Sequence, residues 1–330
     1  MRSIRRILVA IKDPASRSTP TLNKAVQLAR GFGAQLELFH VLTVPIAADT
    51  YLHGGRSFED AQRELREPAI RQLTTLATRL AGRGRQRRLK ITVATQWDAP
   101  AYEAIIRRAS VIKADLIIAE RHAGRHIAPA LLHLNDWELL RLSPLPVLLV
   151  KNSRTYRHPV VLAAVDPTHS MDKPARLDKQ ILRVGAAVAE ALRGHLHAVH
   201  SYIPVLGGAR KTYSLDVDGA ARLNTKIAEG ARRRYDRVLK DSKIPRTRRH
   251  LLSKSPADAI STLAASLRSA IVVMGSVSRS GLERVFIGNT AEDLLDRLSC
   301  DLLVVKPPGF KARIPSTPAG ARIVPPLVLG

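Results

Sequence analysis

One cysteine stands in 330 residues, Cys300, and aromatic side chains make up only 4% of the chain. A single thiol excludes an internal disulfide framework and any zinc cluster built on several cysteines. Cys300 precedes the apolar run DLLVV and reads as a small buried hydrophobe, not a nucleophile. With so few aromatics, Leu, Val, Ile and Ala must fill the core. No apolar run reaches the length of a membrane span. The basic start MRSIRRILVAIKDP stops at Lys12-Asp13-Pro14, too soon for a secretion signal, so a soluble cytoplasmic protein is expected. Acidic residues are in deficit as well: 53 Lys+Arg against 28 Asp+Glu leave a formal charge of +25. Such a charge attracts anionic partners over long range and says little about fold. It leaves open a nucleic-acid partner and a merely solvated arginine-rich surface.

Enzymatic signatures are missing too. There is no Gly-x-x-x-x-Gly-Lys-Ser/Thr phosphate loop and no Gly-x-Ser-x-Gly elbow. The glycines of GFG (Gly31 to Gly33) follow a helical pattern and precede a strand pattern, the reverse of a dinucleotide fingerprint, and predict a helix C-cap. A non-enzymatic protein is the expectation.

What is present is a repeat. Short apolar runs at RILVAI, QLELFHV, KITVAT, DLIIA and PVLLV alternate with helical patterns, the longest from about Phe58 to Leu80. The second half gives VVLAAV, HLHAVHS, HLLSK, AIVVM and DLLVV in the same rhythm. Such alternation predicts parallel sheets covered on both faces. The halves also align: YEAIIRRASVIKADLIIAE (Tyr102–Glu120) lies over ADAISTLAASLRSAIVVMG (Ala257–Gly275), and the same offset carries Val150-Lys151 onto Val305-Lys306 without a gap. That predicts two copies of one α/β domain, residues 1–152 and 158–307, joined near NSRTYRHP. Residues 308–330, rich in Pro and Gly, read as a loose tail.

With Asp166-Pro167 after the first strand of the second half, and VVMGSVSRSGLERVFIGNTAEDLL before its last, the chain resembles the universal stress protein family. WDAPAYEAIIRRA, NDWELLRLSPLPVLLVKN and GNTAEDLLDRLSCDLLVVKP resemble the tandem, E-type form. The resemblance spans about residues 3–307. It implies two adenine-nucleotide-hydrolase-like, Rossmann-like domains, each a five-stranded parallel sheet, paired about a pseudo-two-fold. It also implies a role in stress survival without a defined metabolic reaction; a ligand-free scaffold acting through protein partners is the alternative, and a homodimer is left open.

Nucleotide-binding members of that family carry Gly-x-x-Gly, nine residues, then Gly-Ser/Thr. Here the register supplies Gly275, then Ser278 for the second glycine, then Gly288 followed by Asn289 and Thr290. The family's acidic residue after the first strand falls on Asp166 and its apolar wall on Val199. The resemblance therefore implies an ATP site at Asp166, Val199, Gly275, Ser278, Gly288, Asn289 and Thr290, with backbone N–H groups at 288–290 receiving phosphate at a helix start. The competing reading is a plain cap, with Thr290 and Asp293 as a capping-box pair. In the first half Glu120, Ala123 and His133 take the places of Gly275, Ser278 and Gly288, so that site is degenerate; Asn135 with Glu138 reads as a helix cap.

His122 and His126, four apart, invite a metal, but Gly124 and Pro129 predict a loop there, and no metal site is expected. His195, His197 and His200 read as strand-end polar residues, the first two on one face. Basic clusters recur before the third strand of each half, RGRQRRLK (Arg83–Lys90) and PRTRRH (Pro245–His250), with ARRRYDR (Ala231–Arg237) on the preceding helix. With almost no interleaved aromatics, they read as a solvated rim; a nonspecific nucleic-acid or polyanion surface is the alternative.

Overall fold

The computed structural model describes residues 4–16, 20–43, 58–82, 89–121, 129–167, 176–204, 217–276, 289–311 and 314–317. The chain divides into two compact units, Met1–Thr155 with Lys311–Gly330, and Tyr156–Phe310.

In the first unit, β1 (Arg6–Ile11), β2 (Gln35–Leu42), β3 (Ile91–Trp97), β4 (Leu116–Glu120) and β5 (Val147–Val150) form a sheet in the order β3-β2-β1-β4-β5. All four pairings are parallel. In the second, β6 (Val160–Ala164), β7 (His195–Tyr202), β8 (Arg249–Ser253), β9 (Ile271–Gly275) and β10 (Asp301–Val305) repeat it as β10-β9-β6-β7-β8, again parallel throughout. All ten strand expectations are met. Strands β4 and β9 are buried up to their last residue and β10 throughout, because helices cover both sheet faces. Cys300 is buried, as a hydrophobe would be.

The helices of the first unit are α1 (Pro20–Phe32), α2 (Phe58–Ala81), α3 (Ala101–Val111) and α4 (Pro129–Leu142); those of the second are α5 (Leu177–Ala191), α6 (Val217–Leu239), α7 (Pro256–Ser266) and α8 (Asn289–Arg297). Gly33, at φ 65°, ends α1 as expected: its amide donates to the Arg30 carbonyl and the Ala34 amide to the Ala29 carbonyl, the paired bonds of a Schellman cap. The same bonds end α3, α5 and α7, but Lys113, Arg193 and Arg268 hold the left-handed position. Each places a cation where the helix carries its partial negative charge.

Ion pairs fix the first unit. Asp98 is fully buried after β3, and Arg107 Nη2 reaches its Oδ2 at 2.6 Å while Nη1 reaches Glu103 at 3.1 Å. Arg108 on α3 grips Glu37 of β2 through two bonds of 2.6 and 3.0 Å. Among the residues read as a tail, Pro315 lends its carbonyl to Arg107 Nη1 at 3.0 Å.

Candidate functional site

Strand order reverses between β6 and β9, since the chain leaves β6 toward β7 and later returns on the other side. A crevice outside the carboxyl ends at such a switch point is where open α/β sheets hold ligands. Asp166 follows β6, and its amide donates to Asp178 Oδ1 of α5 at 3.0 Å. Val199 lies on β7 in register with Ala164, and its carbonyl accepts from the Val165 amide at 3.0 Å. Gly275 ends β9. The register thus brings three of the expected residues to one edge.

Ser278 and Gly288 lie outside the described residues. Asn289 and Thr290 are the first two residues of α8, so their N–H groups belong to the unsatisfied, positive end of a helix. Thr290 is therefore inside the first turn and not the N-cap, a correction to the capping-box expectation. Asp293 instead pairs with Arg297 one turn on, at 3.7 Å, and Arg297 reaches Asp258 at 2.7 Å.

Gly275 has a second explanation. A Cβ built there would stand 2.6 Å from Leu177 Cδ2 and 3.1 Å from Ile181 Cδ1, so any other residue would have to push the Leu177 side chain aside. The next residue is held inside: the Ser276 amide donates to the Val305 carbonyl, and Lys306 Nζ donates to Ser276 Oγ at 2.8 Å. The Lys306 ammonium is buried and lies 4.9 Å from the centre of the Phe310 ring.

The first unit fills the matching edge with charge. Glu120 ends β4 where Gly275 ends β9. Lys12, just past β1, feels both Glu120 and Asp136; loss of water lowers its ammonium pKa and the two carboxylates pull it back. The helix cap expected at Asn135 is corrected: α4 begins at Pro129, whose missing N–H suits a first helical position, and Asn135 lies within the helix. Glu138 pairs with Arg141 at 3.0 Å, and burial raises its carboxyl above the usual range. His122 and His126 lie outside the described residues, as does the side chain of His133.

Two of the three β7 histidines are not the strand-end polar residues expected. His200 is buried, with Nδ1 3.3 Å from the Val165 carbonyl and its ring 5.9 Å from that of Tyr235. His197 Nδ1 meets His250 Nε2 of β8 at 3.0 Å, with the rings within 5° of parallel. Burial, then the neighbouring His250, Arg248 and His195, push the His197 imidazole down to about 4. His197 and Val199 share a face of β7 and His250 is in register with Val199, so the strand alternation carried this signal once the two strands were paired. Of the basic clusters, Arg232, Arg233, Arg234, Arg237 and Arg246 are exposed, and residues 83–88 lie outside the described set.

Two doubly wound units, each a five-stranded parallel sheet, define a tandem α/β protein. The universal stress protein family model matches residues 3–151 and again 161–306, so the chain belongs to that family. It is 27% identical over 319 residues to universal stress protein E of Escherichia coli K12, covering 95% of this chain and 98% of that protein, and equally so to the Salmonella typhi protein. Its fold is similar to that of a functionally unknown Pseudomonas aeruginosa protein, with a TM-score of 0.68, 24% identity, and 92% and 93% of the two chains covered. It is also similar to that of a universal stress protein from Archaeoglobus fulgidus, at 0.64 and 17% over 93% and 99%.

Proposed function

We propose that this protein is a non-enzymatic, cytoplasmic stress-response module whose second unit binds adenine nucleotide as ATP, while its first unit has given up that site. The observation that carries the reading is the convergence of Asp166, Val199 and Gly275 on the β6/β9 switch point, ahead of a helix that starts at Asn289. Asp166 would meet the base and ribose, Val199 wall the base, and the 288–290 amides take phosphate with Ser278 alongside. None of these residues is assigned the role of a general base, so hydrolysis would be slow at most. The first unit supports the contrast: Glu120 at the approach repels phosphate.

A second reading rests on Leu177. If its packing is the whole reason for Gly275, the protein is a ligand-free scaffold acting through protein partners. Nucleotide extraction from the freshly purified protein, followed by thermal unfolding with and without Mg-ATP, separates the two. Bound nucleotide and a Tm that rises with Mg-ATP in the wild type but not in Gly288→Asp support the site. No nucleotide and an unmoved Tm favour the scaffold.

A further inference from the structure

The second unit has a groove on its helical layer, with a volume near 650 Å³, inside the range of small-molecule sites of about 300–1,000 Å³. It reaches Gly194 and Pro245, which precede β7 and β8, so it extends to the opposite end of the strands from Gly275. One wall is the outer face of α5: Lys179, Leu182, Arg183, Ala186 and Glu190 recur at helical spacing, a run of about 16 Å at 1.5 Å per residue. The other wall is the end of α6 and the link to β8, with Val238 and Ile244. That link is tied down: Ser242 Oγ donates to the Leu239 carbonyl at 2.7 Å and Arg249 Nε to the Ile244 carbonyl at 2.8 Å. Leu196 and Val238 remain half-exposed within the groove.

Its charge is unbalanced. Lys179, Arg183, Lys243 and Arg248 line it against Glu190 and Asp241. None of the four cations makes a side-chain ion pair or hydrogen bond among the described residues, whereas Arg107, Arg108 and Arg297 all do. An apolar trough with unneutralised cations complements a ligand with an elongated apolar body and an anionic head. A neutral or cationic amphiphile would match the walls and not the lining charge.

We propose that this groove binds a soluble amphipathic anion, independently of any nucleotide site. The probe is decanoate, kept below its micellar concentration and titrated calorimetrically into the full chain; butyrate supplies the head alone, and decyltrimethylammonium the same body with the opposite charge. Saturable binding of one decanoate per chain is expected, with no measurable binding of butyrate and at least tenfold weaker binding of decyltrimethylammonium. Ala186→Trp, which fills the exposed face of α5, is expected to lower decanoate affinity at least tenfold. Arg183→Glu/Lys243→Glu, at two exposed positions where folding is not at stake, is expected to do the same and to improve binding of the cationic amphiphile. Absence of saturable decanoate binding overturns the proposal, as does equal binding of the two amphiphiles. Binding that the charge-reversed protein retains unchanged overturns it too, by placing the ligand elsewhere.

Discussion

Leu177 lies across Gly275 so closely that a Cβ on residue 275 would fall 2.6 Å from Leu177 Cδ2. The first residue of α5 is thereby packed against the last residue of β9, beside the proposed nucleotide site. Gly275→Ala must displace a leucine that is 1% exposed, and such overpacking costs about 1–3 kcal/mol. We expect that loss in chemical denaturation whether or not ligand is present. Leu177→Ala/Gly275→Ala should recover the overpacking part of it, leaving the cost of the truncated leucine.

The Asp98–Arg107 pair is a buried ion pair whose loss the first unit should feel. Asp98 is 1% exposed, and Arg107 is its ion-pair partner at 2.6 Å. Arg107→Ala would leave a buried carboxylate short of its counter-charge, at about 3–5 kcal/mol. Arg107→Ala/Asp98→Ala should cost clearly less than the sum of the two single variants, a coupling that a double-mutant cycle in urea measures.

Three cationic residues in left-handed backbone predict stabilising changes. Lys113, Arg193 and Arg268 hold φ of 52°, 53° and 48° where Gly33 performs the same task in α1. Replacing each by glycine relieves about 1 kcal/mol or more of backbone strain. It loses a few tenths from the helix dipole and some entropy in the unfolded chain. A net gain of up to about 0.5 kcal/mol per site is expected in thermal unfolding.

The His197–His250 pair makes the second unit acid-sensitive. The His197 imidazole titrates at about 4 in the fold, below its ordinary 6.5, and burial lowers His250 as well. The unfolded chain therefore binds more protons across that interval. Stability is full above about pH 6.5 and falls as the pH drops toward 4. Since the groups are partly exposed, solvent screening holds the loss to about 1–2 kcal/mol. The difference in unfolding free energy between pH 7.5 and pH 5 should be smaller by that amount in His197→Asn/His250→Asn.

The ten strands and the internal repeat were legible because short, uninterrupted apolar runs leave few alternatives once helices separate them. The C-cap at Gly33 was legible for the same local reason. What was not legible depended on the register between strands or on where a helix starts. Nothing near His197 in sequence announces His250, which reaches it only when β7 and β8 pair. The Asn135 cap failed because Pro129 starts α4 earlier, and the Thr290 cap because α8 starts at Asn289. Gly275 was read for the ligand it would admit, while Leu177, far off in sequence, supplies a packing reason of its own.

Whether the second unit holds nucleotide is decided by calorimetric titration of Mg-ATP into the wild-type protein and into Gly288→Asp, which sets a carboxylate just before α8. Saturable binding at one site per chain is expected, abolished in the variant and unchanged when Glu120 of the first unit is replaced by alanine. Absence of saturable heat in the wild type, with no nucleotide carried through purification, would contradict it and leave Asn289 and Thr290 as nothing more than the first turn of a helix.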